Sequence, residues 1–422
     1  MTPFFWFVEI VFFYGLFFYC LLVKNELSIF YMPVLLFVDK IIGTTHPAFI
    51  FYGMLSLIVI ILILKSGLFI KYNVWAILIS IYFLLLLNKS HDLDLIRPYA
   101  FSVTWFFVMM PIIPALYKKI PRDVAFRELS NASFLILALF IVNALFSTHY
   151  KFAPTDMYGF TNGILYGNLW AAAFNTMPFA FFVVFLKGVS ERKLLFILLA
   201  VASFFFIMLT LRRTVMGLSA LSVVVALLTM MTQQKAKMVF LIGGLVFVLG
   251  YLVYANTGFM QEIRDRVEER KLDDRALTEE KRFIEYSLIY NDMFVYHAYS
   301  PWFGFELWNS AGNYGHGVLG DRSLHGDLTN IVHSSGFIGL TLYLLMVATA
   351  FWQALKASKG YQDKLIILFC ALSFGVFTVT GRYTETAATT LLFLVLLLPL
   401  TKNEDPEASE EETPPVSPEA VK

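Results

Sequence analysis

Twelve stretches of this chain are long and apolar enough to cross a lipid bilayer as helices. A helix needs about 20 apolar residues to cross the ~30 Å hydrocarbon core of a membrane. The stretches are 4–23, 47–65, 72–88, 98–117, 130–147, 166–186, 194–211, 214–231, 238–256, 330–354, 365–381 and 387–400. Composition agrees, because 58% of the residues are hydrophobic and 15% are charged, whereas soluble domains have about half and about a quarter. The sequence therefore predicts an all-α polytopic membrane protein with about 12 transmembrane helices.

One further apolar segment, residues 27–43, leaves two possibilities open. Its apolar part covers 27–38 and is short, and Asp39 and Lys40 follow it. It is either a thirteenth span or a helix that lies at the membrane interface. The first stretch, 4–23, has no basic region before it and no small-residue cleavage site, so we expect a retained span and not a signal peptide.

Basic residues in four short loops set the predicted orientation. With alternating spans, all four loops lie on one side, which is then the cytoplasm. These residues are Lys118, Lys119, Arg122, Arg127, Lys187, Arg192, Lys193, Lys235, Lys237, Lys356, Lys359 and Lys364. Both chain ends are then cytoplasmic, and the loops 89–97, 148–165, 257–329 and 382–386 face outward.

The same reading gives the expected organisation of the chain. An N-terminal transmembrane bundle covers 1–256, and a large, partly helical periplasmic loop covers 257–329. C-terminal transmembrane helices cover 330–400. The end of the chain, 401–422, is acidic and rich in proline, so we expect a disordered cytoplasmic tail.

His325 is the best candidate for a catalytic side chain. It stands where the large polar loop meets an apolar segment that continues to Trp352. Imidazole titrates near neutral pH, and a titratable side chain at a membrane–water boundary is a candidate reaction centre. Arg322 and Asp327 lie close to it in the sequence. His333 lies farther inside the span, and we interpret it as a polar contact between helices.

Arginines collect at the outer ends of the predicted spans. Arg212 and Arg213 form a turn between two spans, against the usual charge bias. Arg97 and Arg382 lie at outer span ends, and Arg282 precedes an amphipathic run. These side chains either snorkel to the interface or form a cationic rim that binds a membrane-anchored pyrophosphate. Arginine suits phosphate because its planar guanidinium donates two parallel hydrogen bonds and stays charged.

Neither metal binding nor nucleic-acid binding is indicated. The sequence contains no His-x-x-x-His or Cys-x-x-Cys pattern, and Cys20 and Cys370 both lie inside apolar runs. The net charge of +1 gives no reason to expect a nucleic-acid partner. Asp92 and Asp94 have the spacing of a metal–nucleotide-sugar site, but nucleotide sugars are cytoplasmic and this loop is expected outside. We therefore expect no metal and no cofactor.

Several segments resemble, in order, motifs of the O-antigen ligase and polymerase family. The segment Gly159-Phe160-Thr161-Asn162 is similar to the family's Gly-Phe-x-Asn motif, and Leu209-Thr210-Leu211-Arg212-Arg213 to its Thr-x-Ser/Thr-Arg turn. Arg213 takes the arginine position of that turn, which here carries the extra arginine Arg212. Lys281-Arg282, followed by Tyr286 and by Pro301-Trp302-Phe303-Gly304, resembles the Arg-x-x-x-aromatic…Pro-x-x-Gly segment.

The fourth segment is the one that contains His325. The run His325-Gly326-Asp327-Leu328, with Gly336 and then Ile338-Gly339-Leu340, resembles the signature His-Asn-x-Tyr-Leu…Gly-x-x-Gly-Leu. Gly326 stands where the family usually has Asn. The resemblance covers roughly residues 150–400.

The resemblance implies a metal-independent, inverting glycosyltransferase of the bacterial inner membrane, with its active site facing the periplasm. Its donor would be a glycan on undecaprenyl pyrophosphate. A ligase passes the glycan to lipid A-core, and a polymerase passes it to another repeat unit. In this interpretation His325 takes the proton of the acceptor hydroxyl. Arg213 and Arg282, with Arg212, Arg97 and Arg382 near them, bind the pyrophosphate.

Two alternatives to the ligase remain open at this stage. A polymerase of O-antigen or exopolysaccharide uses the same chemistry and the same residues. A transporter of polysaccharide or lipid would also need outward-facing cations. Transporters often contain internal repeats with interrupted helices, and the sequence shows no two matching halves.

Overall fold

The computed structural model describes most of the chain between residues 6 and 402. The described ranges are 6–42, 48–91, 93–151, 160–161, 166–167, 171–210, 212–230, 281–309, 324–381 and 383–402, with single positions at 169, 244, 248, 251, 261 and 318. The predicted spans at 238–256, most of the outer loop and the tail therefore lie outside the described residues.

Helices make up nearly all of the regular structure in these ranges. The first helical run, α1, joins Val8–Gly15, Leu16–Tyr19 and Cys20–Lys24. The others are α2 Met32–Ile42, α3 Ala48–Ser66, α4 Val74–Leu86, α5 Leu93–Tyr117, α6 Arg122–His149, α7 Met177–Glu191, α8 Leu194–Leu209, α9 Arg213–Thr229, α10 Lys281–Phe294, α11 Asp327–Ala357, α12 Tyr361–Thr380 and α13 Thr386–Leu396. Short 3-10 turns are Asn25–Tyr31, Phe69–Tyr72, Leu87–Lys89, Ala171–Thr176 and Leu398–Leu400. Two two-residue strands, Phe160–Thr161 and Tyr166–Gly167, pair antiparallel.

Seven helical segments in the described part of the chain are long and apolar enough to cross a membrane. They are Val8–Ile41, Phe49–Ser66, Tyr99–Tyr117, Arg122–His149, Ala173–Glu191, Asp327–Ala357 and Tyr361–Thr380. Four shorter apolar helices accompany them: Val74–Lys89, Leu194–Leu209, Arg213–Thr229 and Thr386–Leu396. The helical membrane-protein class expected from the sequence is confirmed at this level, and the count of twelve spans stays a prediction.

The short helix α13 lies at the centre of the bundle. All of its residues from Thr386 to Leu396 are buried, and it packs against α2, α5, α7, α11 and α12. A helix that is apolar on every side has no face suited to water. Its sequence, which is apolar apart from three threonines, therefore fits the interior of the bundle.

Contacts between loops define one end of the bundle, which we call the basic end. It comprises the segments 65–73, 118–128, 229–230, 353–363 and 401–402. Lys119 donates a hydrogen bond to the carbonyl of Lys65 at 2.6 Å, and the backbone N–H of Lys402 donates to the carbonyl of Tyr117 at 3.2 Å. The Gln362 side chain likewise donates to the carbonyl of Thr229 at 3.0 Å. Six of the twelve basic loop residues that set the predicted orientation lie here: Lys118, Lys119, Arg122, Arg127, Lys356 and Lys359.

The first helix also ends at the basic end. Asn25 adopts φ 48°, which breaks the helical run after Lys24, and α2 returns along α1. The Lys24 ammonium lies 2.7 Å from the Glu128 carboxylate, and the Tyr31 hydroxyl donates to the same carboxylate at 2.8 Å. The turn at Asn25 makes 25–42 a mostly buried segment that returns along α1, and it places the start of α1 at the opposite end of the bundle. The side of the membrane on which each chain end lies stays a prediction.

Candidate functional site

A buried carboxylate fixes the backbone at His325. Glu285 projects from the buried face of α10 and is fully buried. Its oxygens accept hydrogen bonds from the backbone N–H of His325 at 3.1 Å and of Gly326 at 3.0 Å, and from the Thr329 hydroxyl at 3.0 Å. These donors lie at the start of α11, where free N–H groups and the helix dipole favour a negative charge. Glu285 therefore holds the start of α11, with His325 directly before it.

Gly381 holds His325 from the other side. It follows the last residue of α12 and adopts φ +74°, a left-handed conformation that suits glycine. A Cβ placed on Gly381 would lie 1.2 Å from the carbonyl oxygen of His325. The two backbones are therefore in direct contact, and His325 lies between α10 and the end of α12 with its side chain partly exposed.

A polar network continues from His325 into the bundle. The buried Asp327 carboxylate accepts the backbone N–H of Tyr383 at 3.0 Å. The Tyr383 hydroxyl donates to the side-chain oxygen of Asn330 at 2.9 Å, and Ser334 donates to the same oxygen at 3.2 Å. Burial and the nearby Asp327 charge raise the pKa of Tyr383 above its ordinary value. Tyr383 therefore stays protonated and keeps its donor role.

Helix α11 is broken at Gly336, and a loop fills the break. Gly336 has φ 67° and ψ −169°, so the helical run is interrupted there. The loop at Pro301–Gly304 docks against the opened backbone: Phe337 N–H donates to the Pro301 carbonyl at 2.8 Å, and Phe305 N–H donates to the His333 carbonyl at 2.7 Å. Backbone groups freed by a helix break need new partners, and this loop supplies them.

The Pro301–Gly304 loop packs so closely against the break in α11 that two positions have no space for a side chain, and both are glycines. A Cβ on Gly336 would lie 2.2 Å from the Trp302 backbone, and a Cβ on Gly304 would lie 2.6 Å from the His333 carbonyl. Gly304 also has φ +69°. The Tyr82 hydroxyl closes the break from α4 by donating to the Ser335 carbonyl at 2.8 Å. Two of the segments that carried the family resemblance are thus locked together.

The predicted site residues that the structure describes lie at one end of the bundle, opposite the basic end. Helix α5 reaches the basic end at Tyr117, and α9 reaches it at Thr229, so Arg97 and Arg213 near their starts lie at the other end. Helix α12 starts at the basic end and finishes against His325. We call this second end the His325 end.

The arginines differ in exposure. Arg213 is exposed in the first turn of α9. Arg212 is partly buried, and its guanidinium lies 5.6 Å from the centre of the Phe174 ring. Arg97 is exposed in α5. The backbone of Arg282 lies in the first turn of α10, its side chain is outside the described residues, and so is Arg382.

Two chains of contact connect the arginine-bearing helices to His325. Arg282 lies three positions before Glu285, so the backbones of the two residues are about one helical turn apart. Glu285 is the residue whose carboxylate holds His325. Helix α9, which begins at Arg213, packs along α12, and the end of α12 at Gly381 touches His325. These contacts place the starts of α9 and α10 at the same end of the bundle as His325.

Sequence reasoning missed Glu285, Tyr383 and Gly381. A signal for Glu285 exists, because the buried residues of α10 recur as Glu285, Leu288, Ile289, Asp292 and Met293. A carboxylate on the apolar face of an amphipathic helix needs a partner. Its partner, forty residues away in sequence, is visible only in the folded chain.

The remaining features concern His333, its neighbour Tyr299 and the acidic side chains. His333 is buried, and its ring packs edge-on against Tyr299, with centroids 5.2 Å apart. Its interpretation as a polar contact between helices stays a prediction. Burial, then the Asp292 charge, raises the pKa of Tyr299. Within the described residues, no group of three or more His, Cys, Asp or Glu side chains could hold a metal ion. Asp92 is outside those residues, and the side chain of Asp94 is too.

The chain matches no protein-family model, and no curated protein matches it significantly.

We predict that the Glu285 carboxylate stabilises the start of α11. Glu285→Ala removes an acceptor from two backbone N–H groups and one hydroxyl, and should lower the free energy of unfolding by about 1–3 kcal/mol. Glu285→Gln keeps one acceptor oxygen and should lower it less. Thermal unfolding in detergent, with hydrogen exchange at residues 325–329, measures both effects.

The matched control is Ser287→Ala, an exposed residue on the same helix whose hydroxyl donates to the Ile284 carbonyl of that helix. It should leave both unfolding and exchange near wild type. Unchanged exchange at 325–329 in Glu285→Ala would show that the carboxylate does not hold this segment.

Proposed function

We propose that this protein is an O-antigen ligase-like glycosyltransferase of the bacterial inner membrane. It would move a glycan from undecaprenyl pyrophosphate to a hydroxyl of lipid A-core or a similar acceptor. The observation that supports this most is the Glu285 contact with His325. It joins the segment that begins at Arg282 to the segment that begins at His325, and the two segments resemble consecutive motifs of one family.

The proposed chemistry assigns one role to each group. His325 accepts the proton of the acceptor hydroxyl as the acceptor oxygen bonds to the anomeric carbon. The bond between that carbon and the pyrophosphate oxygen breaks, and undecaprenyl pyrophosphate leaves. Attack from the opposite face inverts the anomeric centre. Arg213 and Arg282, with Arg212, Arg97 and Arg382 as further cations, stabilise the charge on the leaving pyrophosphate.

The positioning of His325 suits a proton acceptor. Its backbone is held by Glu285 on one side and by Gly381 on the other, while its side chain stays partly exposed. A base must be held in place and still reach a substrate. The hydrogen bonds that hold the backbone of His325 and the partial exposure of its side chain support this role.

Two other functions fit parts of the structure. A polymerase would use the same His325 end with a glycan as acceptor. A transporter of polysaccharide or lipid is suggested by the broken helix α11, because interrupted helices often line transport sites. The transfer assay below separates these possibilities, since a polymerase lengthens the glycan and a transporter forms no new bond.

We further propose that the His325 end faces the periplasm and the basic end faces the cytoplasm. The exposed lysines and arginines at the basic end favour the cytoplasmic side. With α1 ending at the basic end, segment 25–42 counts as a span and the start of α1 is periplasmic. Together with the predicted span at 238–256, this gives thirteen crossings in place of about twelve, with the tail still cytoplasmic.

His325→Ala should abolish glycan transfer while the protein remains folded. The reason is that the acceptor hydroxyl loses its base, a contribution of about 10²–10⁴-fold in rate. The measurement is transfer from a lipid-linked donor to purified acceptor in proteoliposomes, with unfolding followed in parallel.

The matched control is His297→Asn, an exposed histidine in the outer segment with φ 50°, a conformation that Asn tolerates. It should transfer at the wild-type rate. Full activity of His325→Ala would refute the assignment, and wild-type protein that moves donor across the bilayer without transfer would make the protein a transporter.

Arg213→Lys and Arg282→Lys should each slow transfer by about ten- to a hundred-fold. Lysine keeps the positive charge but cannot donate the two parallel hydrogen bonds of a guanidinium. The lost stabilisation of the transition state is about that of one charge-assisted hydrogen bond. Arg212→Lys should be closer to neutral, because Arg212 is partly occupied by its contact with Phe174.

Single-turnover rates with a lipid-linked donor measure these effects. Arg192→Lys is the control. Arg192 is exposed at the end of α7, away from the His325 end of the bundle. If both Arg213→Lys and Arg282→Lys transfer at the wild-type rate, these arginines anchor the protein in the interface. If Arg212 is the sensitive position, it is the pyrophosphate ligand of the turn.

Single-cysteine labelling tests the orientation. In a background without Cys20 and Cys370, Trp6→Cys and Trp302→Cys should react with a membrane-impermeant maleimide from the periplasm. Lys119→Cys and Tyr361→Cys should react only after the inner membrane is opened. Labelling of Trp6→Cys only in opened cells would restore the arrangement in which both chain ends are cytoplasmic.

A further inference from the structure

An open groove lies at the basic end, away from the proposed active site. It has a volume of about 820 Å³ and is lined by Arg122, Leu228, Thr229, Lys359, Gly360, Tyr361, Gln362 and Asp363. It therefore lies where the start of α6, the end of α9 and the start of α12 meet. Nothing in the proposed transfer reaction uses this groove.

The charges of the groove favour an anion. The Arg122 guanidinium pairs with the buried Asp363 carboxylate at 2.5 Å, and its side chain is still 41% exposed. Lys359 is exposed, and its backbone N–H donates to Asp363 at 3.1 Å. The carboxylate in the groove is thus already engaged by Arg122 and by backbone, while two cations face the opening. The first turn of α12 adds the positive end of a long helix.

The chain's own acidic end begins at the rim of this groove. The backbone carbonyl of Lys402 accepts the N–H of Arg122 at 3.1 Å, and the N–H of Lys402 donates to the carbonyls of Tyr117 and Ile120. The next twenty residues, 403–422, lie outside the described part of the chain. They carry seven carboxylates and one lysine: Glu404, Asp405, Glu407, Glu410, Glu411, Glu412, Glu419 and Lys422.

We propose that the acidic segment 404–412 occupies this groove and so screens it from other anions. The anchor at Lys402 places the segment beside Arg122, and ten extended residues reach about 34 Å, which is ample for the groove. Its carboxylates would meet Arg122, Lys359 and the start of α12. Tethering raises the local concentration of the segment, so several weak ion pairs suffice to keep it there.

The occupancy is electrostatic, so salt should control it. The screening length falls from about 10 Å at 0.1 M salt to about 3 Å at 1 M. Contacts between exposed charges weaken over that range, whereas the backbone contacts of Lys402 do not depend on it. This gives the proposal a readout that is independent of transfer activity and of the proposed function.

The experiment measures distances between spin labels in the full-length protein, in an uncharged detergent and without Cys20 and Cys370. The labels sit at Tyr361→Cys, on the exposed rim of the groove, and at Ala408→Cys, inside the acidic segment. A short-distance population should be present at 0.1 M salt and fall at least about threefold at 1 M. Lys359→Glu should produce a similar fall at 0.1 M salt.

Lys71→Glu is the matched control, because Lys71 is an exposed cation of the basic end that does not line the groove. It should leave the short-distance population intact. A second label pair, Trp302→Cys with Ala408→Cys, should give only long distances under all conditions. Distances that respond to neither salt nor Lys359→Glu would overturn the proposal, as would an equal response to Lys71→Glu.

Anionic lipid headgroups are the competing occupant. The same labels in nanodiscs of zwitterionic lipid and of lipid with about one-third phosphatidylglycerol separate the two cases. A short-distance population that persists in both supports the acidic segment. Its loss in the anionic nanodiscs alone would assign the groove to lipid and overturn the segment as its occupant.

Discussion

One buried carboxylate ties helix α10 to the start of helix α11. Glu285 lies on α10, which follows the long polar stretch, and it binds the backbone at the start of α11. Burying a charge is costly unless it is fully hydrogen bonded, and here two N–H groups and the Thr329 hydroxyl meet it. The dipole of α11 adds to the same attraction. The position of His325, and with it any chemistry at this end, depends on this contact.

The break in α11 gives the His325 end its shape. Because Gly336 leaves the helical conformation, the segment from Asp327 to Ser335 is held as a separate half-helix. The Pro301–Gly304 loop and the Tyr82 hydroxyl satisfy the backbone groups that the break exposes. Membranes tolerate irregular backbone only where protein covers it. The half-helix is therefore fixed on both sides, by α10 at its start and by the loop at its end.

Buried polar contacts hold both ends of the bundle. At the basic end, the backbone of Lys402 binds Tyr117 and Ile120. Two buried carboxylates add to this contact: Glu128 binds Lys24 and Tyr31, and Asp363 binds Arg122. The His325 end is held by buried side-chain contacts from Glu285, Asp327 and Tyr383. Such buried networks specify one geometry because an unsatisfied member is costly.

The sequence by itself determined the helical membrane class, and it predicts the polar outward segment and the position of His325 at the membrane boundary. Those features follow from local hydropathy, which acts through a run of about 20 residues. Only the tertiary structure decided that Asn25 turns the first helix back at the basic end, and that Glu285 and Gly381 enclose His325. It also decided that the Pro301–Gly304 loop enters the break at Gly336. These contacts join residues far apart in sequence, and their energy comes from pairing buried polar groups that no local pattern reveals.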